Sequence, residues 1–524
     1  MICFFVETRQ FLLAFIDLLA CYAFFLLPIF FFRKHLKLYV WILLPVILIA
    51  PFNTLAIIFF NVPINDVILL LLIMNTNYNE ALELIEGYFL ISVCSLMVYF
   101  GLYFLLMSKM PNQIKVKSAT FISIISISIL CLLPFASFSK SPYFDRLRGT
   151  LYFVFPTSII YAGGVVYKQY RLMNNKKNER NKFTFQAKQV TQLSGLQVYL
   201  LIIGESSRFS NWGINGYKKN TSPFLSRRTN FLSFSNAASG GFITEFAVPL
   251  ILTGVGADHF ETHIKQKSIV SAFKEAGFAT YWITNQIDDG HIKIHLEEAD
   301  KKRLLLSDFK STKHLHRDME LVEALKKVLA EPGKKKFIVM HTLGSHYDYS
   351  ARYPDEFDLF KPSNKSVFTQ LSDYTNKNII INSYDNSILY TDAVINSSIE
   401  LVAHQNTYSS VTYISDHGDN LFDDSRNLSQ HGYPYPSKYI SHVPYFVWYS
   451  NSLRKIFSEK IENLRKHTDA SISSENIIHT FTSIGNVWYP KQDSSKNIAS
   501  SYFKDNRQRI LGANMKVYNC YSLN

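Results

Sequence analysis

The tetrapeptide Ser415-Asp416-His417-Gly418 follows the short apolar run Val411–Ile414. An Asp and a His side by side where a buried strand ends suit metal ligation on rigid backbone, at the sheet edge where α/β active sites collect. Glu205 closes a second apolar run, residues 198–203, and Thr244 stands just ahead of a third, residues 246–253. His346 in Gly344-Ser345-His346 and His431 in Gln430-His431-Gly432 fall in loops. Oxygens from Glu205, Asp416 and Thr244 with the imidazole of His417 make a hard, oxygen-rich set that suits zinc or manganese and keeps a position open for substrate. Each residue also has an ordinary role: Glu205 can cap a turn, Asp416 can close an Asx-turn, and a loop histidine can simply be solvated. Their placement together at strand ends favours the metal.

Thr244 follows the pair Gly240-Gly241 and precedes a run that reads as a helix despite Pro249. Near a helix start, backbone N–H groups and the helix dipole favour a phosphoryl anion, and a bound metal lowers a hydroxyl's pKa enough to make it a nucleophile. Spacing alone favours the plainer role of a threonine N-cap. His346 and His431 are candidates for holding a transferred group or protonating a leaving oxygen. His341, at a strand's edge, reads as a satisfied core histidine, and Asn285 and Lys438 complete the set as candidate substrate-binding residues.

Positioning these residues requires a scaffold, and the chain beyond residue 195 supplies its pattern. Short apolar runs at Val198–Ile203, Ala279–Ile283, Phe337–Met340, Val411–Ile414 and Tyr445–Trp448 read as buried strands. Between them Val270–Ala276, Met319–Leu329, Ile388–Ala403 and Ile477–Ile484 carry helical spacing. The alternation predicts a mostly parallel sheet covered by helices on both faces, with its site at the strands' carboxyl ends.

The first third of the 524-residue chain is different in kind. Four apolar stretches, at about 11–32, 38–60, 88–107 and 118–137, are long enough to cross a bilayer. The first is too long for a removable signal peptide and lacks a small-residue cleavage pattern. A shorter run, Val67–Met74, leads into the acidic stretch Asn79–Tyr88, and the two together read as a surface or re-entrant element. Leu151–Tyr167, aromatic and broken by Pro156 and a Gly pair, reads as an interfacial helix rather than a fifth span. Basic residues cluster at Arg33, Lys34 and Lys37 and again at Lys109, Lys115 and Lys117. Four spans put both clusters in the cytoplasm if the N-terminus and the C-terminal part lie outside it. Asp17, inside the first span but near its end, reads as reaching the interface.

The net charge of +13 comes from scattered Lys and Arg, which argues against nucleic acid as a partner. The local cluster Lys176, Lys177, Arg180 and Lys182 reads either as a contact to anionic headgroups or as a solvated linker. Of the five cysteines only Cys520 lies beyond the apolar third, so the polar part has no internal disulfide.

The chain resembles the phosphoethanolamine transferases of Gram-negative envelopes, within the sulfatase and alkaline phosphatase superfamily. The stretches that carry the resemblance are LLIIGESSRFSNWGINGYKKNTSPFL (200–225), SFSNAASGGFITEFAVPLIL (233–252), HTLGSHYDYSARYP (341–354), YDNSILYTD (384–392), SDHGD (415–419) and QHGYP (430–434). The resemblance implies an N-terminal transmembrane bundle (residues 1–137), an interfacial helix and linker (138–195) and an extracytoplasmic, sulfatase-like catalytic domain (196–524). It implies one tightly bound zinc, a second being possible, on residues matching Glu205, Thr244, Asp416 and His417. The threonine would carry phosphoethanolamine from phosphatidylethanolamine, with His346 and His431 at the phosphoryl group. It implies a lipid A or lipopolysaccharide acceptor and a monomer in the bacterial inner membrane. Three departures stand out: Ser-Gly-Gly-Phe-Ile before the threonine, Glu245 after it where alanine is usual, and neither disulfides nor an evident fifth span.

Overall fold

The computed structural model describes residues 19, 21–60, 89–136, 163–164, 167–168, 171, 176, 178–286, 290–305, 317–367, 374–424, 426–431, 435–512 and 515–523. Asp17, the 67–74 run, the 79–88 stretch and nearly all of 151–167 lie outside them. The chain divides into two compact units, residues 1–172 and 173–524.

In the first unit the described helices include α1 (Leu36–Ile42), α2 (Leu44–Phe60, with Pro51 inside), α3 (Phe89–Lys109) and α4 (Val116–Ala136). Among the described residues one helical window, Ser92–Lys109, is long and apolar enough to cross a membrane; Cys21–Phe30 and Val116–Leu132 are shorter apolar helices. Large apolar side chains on α3, including Met97, Phe104 and Leu106, are exposed, as expected of a helix that is apolar all round and faces lipid. The loop after residue 32 pairs with the loop between α3 and α4: Leu36 N–H donates to Asn112 O at 3.0 Å and Ile114 N–H to Arg33 O at 2.8 Å. Both basic clusters therefore sit at the same end of this unit.

The second unit is built on a seven-stranded sheet of β1 (Gln197–Gly204), β2 (Phe231–Phe234), β3 (Ala279–Thr284), β4 (Lys301–Leu304), β5 (Lys335–His341), β6 (Tyr408–Ser415) and β7 (Tyr445–Tyr449), in the order β2-β7-β6-β1-β5-β3-β4. Only β7 runs against its neighbours. The five strands read from the sequence are all present; β2 and β4 are added at the two edges, where half-exposed residues leave no apolar run to read.

β1 is buried along its whole length because both faces are covered. Tyr199, Leu201 and Ile203 pack on one face with α5 (Thr244–Thr253), α6 (Ile269–Glu275) and, at the rim, α7 (Gly290–Leu296), joined by α10 (Glu475–Ile484). Val198, Leu200 and Ile202 pack on the other with α8 (Met319–Ala330) and α9 (Lys377–Ala403). α9 begins eleven residues before the stretch read as helical from the sequence; there Ser383, Asp385 and Asn386 are buried in hydrogen bonds beside the core residues Ile380 and Tyr384.

Arg180 resolves part of the basic linker cluster. It is 7% exposed, within a short helical stretch, and its guanidinium donates to the carbonyls of His263, Gln266 and Ile294 and to the Glu298 carboxylate. It is a buried clasp and faces neither lipid headgroups nor solvent.

Candidate active site

The central strands β1, β5 and β6 are parallel and in register, Gly204 opposite Ser415 and Ile203 opposite His341. Their carboxyl ends thus deliver Glu205, Asp416 and the 342–346 loop to one edge. β7 runs the other way, so the segment preceding it reaches the same edge, where Gly418 N–H donates to Ile440 O at 2.9 Å. Thr244 arrives from β2 through the Gly240-Gly241 turn. A Cβ on Gly241 would lie 2.5 Å from Ala247 N, so only glycine lets that turn close on α5.

Thr244 is the first helical residue of α5, with Ile243 as the N-cap. Its hydroxyl is not a cap: it donates to Glu205 Oε2 at 2.9 Å and lies 3.3 Å from His417 Nε2. That same Nε2 is 3.4 Å from Glu205 Oε1 and 3.3 Å from Asp416 Oδ2. Four side chains from three separate stretches of the chain thus converge on one point. Glu205, Asp416 and His417 are fully buried, and Thr244 is half-buried.

The hydrogen bonds around the cluster fix which atoms face inward. Asp416 Oδ1 accepts from Ser206 N–H at 3.1 Å and His417 N–H at 2.6 Å, while Oδ2, buried, has no hydrogen-bond partner. His417 Nδ1–H donates to Gly418 O at 3.0 Å, so Nε2 carries the lone pair. Ser206 Oγ donates to Glu205 Oε1 at 2.7 Å. Ser206 itself sits at φ +56°, a backbone conformation that is uncommon outside glycine and concentrates at functional sites. A lone pair facing two buried carboxylates is repulsive unless a cation lies between them, and this donor set of oxygens and one imidazole fits a zinc-type ion.

The electrostatics point the same way. Burial opposes ionisation of Glu205, but positive charge on His417, His346 or His431, together with the Gln286 amide, outweighs it and holds the carboxyl below its usual range. Asp416 is pushed well up by burial and by the Glu205 carboxylate facing it. Burial lowers His417 to about 4.

His431 joins the cluster. Its ring centroid is 4.1 Å from that of His417, and Glu205, His417 and His431 present ligand atoms within 4.8 Å of one another. Its Nδ1 shares a hydrogen bond of 2.7 Å with Asp419 Oδ1, which leaves Nε2 for the site. Asp419 also accepts from Tyr349 OH at 2.8 Å. The His346 ring lies 6.4 Å from that of His431, at the rim.

Asn285 and Lys438 are not brought to this point. Asn285 is buried and donates to Asp318 Oδ1 at 3.2 Å, while Lys438 is exposed with its ammonium over the Tyr439 ring. The neighbour of Asn285 does the touching: Gln286 Nε2 donates to Glu205 Oε2 at 2.9 Å and to Thr342 O at 2.6 Å. Gln286 and Asp419 were legible only as residues near strand ends; nothing in their spacing marks them.

The sulfatase family model matches residues 197–487. The phosphoethanolamine transferase EptC of Escherichia coli strain K12 is 24% identical over 505 residues, covering 93% of this chain and 86% of EptC. The fold matches that of the integral membrane protein lipooligosaccharide phosphoethanolamine transferase A from Neisseria meningitidis with a TM-score of 0.70 at 22% identity, over 88% of this chain and 86% of that one. It also matches the C-terminal periplasmic domain of Escherichia coli EptC in complex with zinc, with a TM-score of 0.57 at 24% identity, over 64% of this chain and 96% of that domain. The match over 88% of the chain means that the likeness of fold extends into the helical N-terminal unit. The chain belongs to the sulfatase family.

Proposed function

We propose that this protein moves phosphoethanolamine from phosphatidylethanolamine to an envelope glycolipid, lipid A or the lipopolysaccharide core, through a phospho-Thr244 intermediate. The observation that carries this reading is the Thr244 hydroxyl, half-buried at the start of α5, 2.9 Å from Glu205 Oε2 and 3.3 Å from His417 Nε2.

Zinc would be held by Glu205, Thr244, Asp416 and His417; when bound it supplies the positive charge that neutralises the two carboxylates and acidifies the threonine hydroxyl. A second ion near His431 would fit the Glu205, His417 and His431 grouping. In the first step Thr244 Oγ attacks phosphorus, the bond from phosphorus to the diacylglycerol oxygen breaks, and the Thr244 proton ends on diacylglycerol. Glu205 Oε2, which already accepts that proton in a hydrogen bond, is placed to take it. In the second step an acceptor oxygen attacks phosphorus, the bond to Thr244 Oγ breaks, and the proton released by the acceptor returns to the threonine. His431, oriented by Asp419, and His346 at the rim hold the transferred group or exchange the proton of the leaving oxygen.

A lipid donor accounts for an enzyme joined to a membrane unit. The two basic loops at one end of the helical unit support a cytoplasmic side for that end, and hence an inner-membrane protein with a periplasmic catalytic unit, acting as a monomer. Phosphoglycerol transfer, or transfer to a glucan or a protein, uses the same machinery on a different headgroup or acceptor. Incubating the full-length protein with phosphatidylethanolamine labelled in its headgroup tests the reading. Wild type is expected to gain a phosphoethanolamine mass on the peptide containing Thr244, and Thr244→Ala to lose both adduct and transfer. Transfer retained by Thr244→Ala, or an adduct formed only from phosphatidylglycerol, would sink it.

A further inference from the structure

Glu245, the residue after the nucleophile, lies in the first turn of α5 and is half-buried. Its carboxylate is engaged with α7: Oε1 accepts from His291 N–H at 2.5 Å. A Cβ on Gly290 would fall 2.2 Å from that oxygen, and Gly290 has φ +52°, so the contact requires glycine on two counts. The helix so held is anchored elsewhere too, since His291 is 4% exposed against Phe260 and His263. Only three residues separate Gly290 from Gln286, whose amide donates to both Glu205 Oε2 and Thr342 O.

We propose that Glu245 is a positioning residue for the reaction: it holds the start of α7, three residues along the chain from Gln286, and Gln286 in turn holds the Glu205 carboxylate that receives the Thr244 hydroxyl. This rests on the reading of Thr244 as nucleophile. The competing role for a carboxylate beside the nucleophile is direct contact with the ammonium of the donor headgroup. The two differ in what they demand of the side chain. Positioning needs an acceptor for the His291 N–H, which an amide oxygen provides; holding an ammonium needs the negative charge.

The test uses the full-length protein in micelles containing phosphatidylethanolamine. Glu245→Ala is expected to lower kcat about tenfold with KM for the lipid unchanged, and to weaken zinc binding by the metal-free protein by about tenfold, the size typical when a ligand loses its support. Amide exchange around Gln286 and His291 should quicken in the same variant. Gly290→Ala, which keeps the Glu245 side chain but drives a Cβ into its carboxylate, should reproduce these losses, and Glu245→Gln should stay within about twofold of wild type. A rise in KM in Glu245→Gln equal to that in Glu245→Ala would overturn positioning in favour of ammonium contact. Glu245→Ala with wild-type kcat and zinc affinity would overturn it outright. Should Glu245→Ala not fold, Glu245→Gln and Gly290→Ala decide between the same outcomes. A wild-type protein that forms no adduct on Thr244 would remove the proposed function, whereas zinc affinity and amide exchange, which need no turnover, would still judge Glu245.

Discussion

Asp416 is the residue whose surroundings make least sense without a cation. Its Oδ2 is buried with no hydrogen-bond partner, 3.3 Å from a histidine nitrogen that carries a lone pair, and the Glu205 carboxylate faces the same point. Asp416→Asn is therefore expected to act in opposite directions on the two forms of the protein. Without metal it removes one of two facing charges, and the unfolding midpoint should rise, by roughly 1–2 kcal/mol of stability. With zinc it removes a ligand, so the gain in midpoint on adding zinc should shrink and transfer should fall by at least about a hundredfold. Thermal unfolding with and without chelator checks both signs; a lower midpoint in the metal-free variant would contradict the account. Gly344 offers a second check at this scale. It has φ +48°, and a Cβ there would sit 2.7 Å from Glu205 O, so Gly344→Ala should displace Glu205 and weaken zinc binding as well as stability.

At the scale of elements, the site depends on how α5, α6 and α7 are held against the sheet. Arg180 and Glu298 lock one corner of that arrangement. Glu298 also accepts from Ser268 N–H and Oγ–H and from Ser271 N–H at the start of α6, while Arg180 binds carbonyls just ahead of α6 and in α7. Removing one partner of a buried pair leaves the other charge uncompensated, so Arg180→Met is expected to cost about 3–5 kcal/mol. Adding Glu298→Gln to it should recover part of that loss, because Gln still offers an acceptor to α6. Denaturant unfolding of the two variants in detergent is the measurement. The linker cluster read from charge alone concealed this, since nothing in a run of basic residues says which one turns inward.

For the molecule as a whole, buried histidines make stability depend on pH. Burial lowers His291 and His295 to about 4 and His263 well below its ordinary value; neighbouring imidazoles push His263 and His291 the same way, and the Arg180 guanidinium does so for His263 and His295, outweighing the opposing Glu298 carboxylate at His295. With folded pKa values below the unfolded value of about 6.5, the unfolded chain takes up more protons as the medium acidifies. Their contribution is thus intact above about pH 6.5 and is lost as pH falls from there towards 4. The unfolding midpoint should decline over that window, and His295→Gln should flatten the decline; an unchanged slope would refute the assignment. In a cysteine-free background of the full chain, a cysteine at Tyr502 should react with a membrane-impermeant thiol reagent applied from the periplasm, and one at Lys115 should not. The opposite pattern would reverse the orientation.

The sequence by itself determined the class of fold and the identity of the central residues. Apolar runs of four to six residues alternating with helical patterns read as strands of a covered sheet, and Glu205, Asp416 and His417 stand where those strands end. Thr244 was named by the resemblance and not by its spacing, because a threonine at a helix start reads first as a cap, and spacing cannot tell a hydroxyl that accepts from a helix N–H from one that donates to Glu205. Nor could the sequence assign Gln286, Asp419, Glu245 or Arg180, or exclude Asn285 from the contact that its neighbour makes. Those roles belong to polar groups whose partners lie tens to hundreds of residues away in the chain. Periodicity reports burial along one element, whereas a hydrogen-bonded partner is chosen by where other elements come to rest, and only the packed tertiary structure decides that.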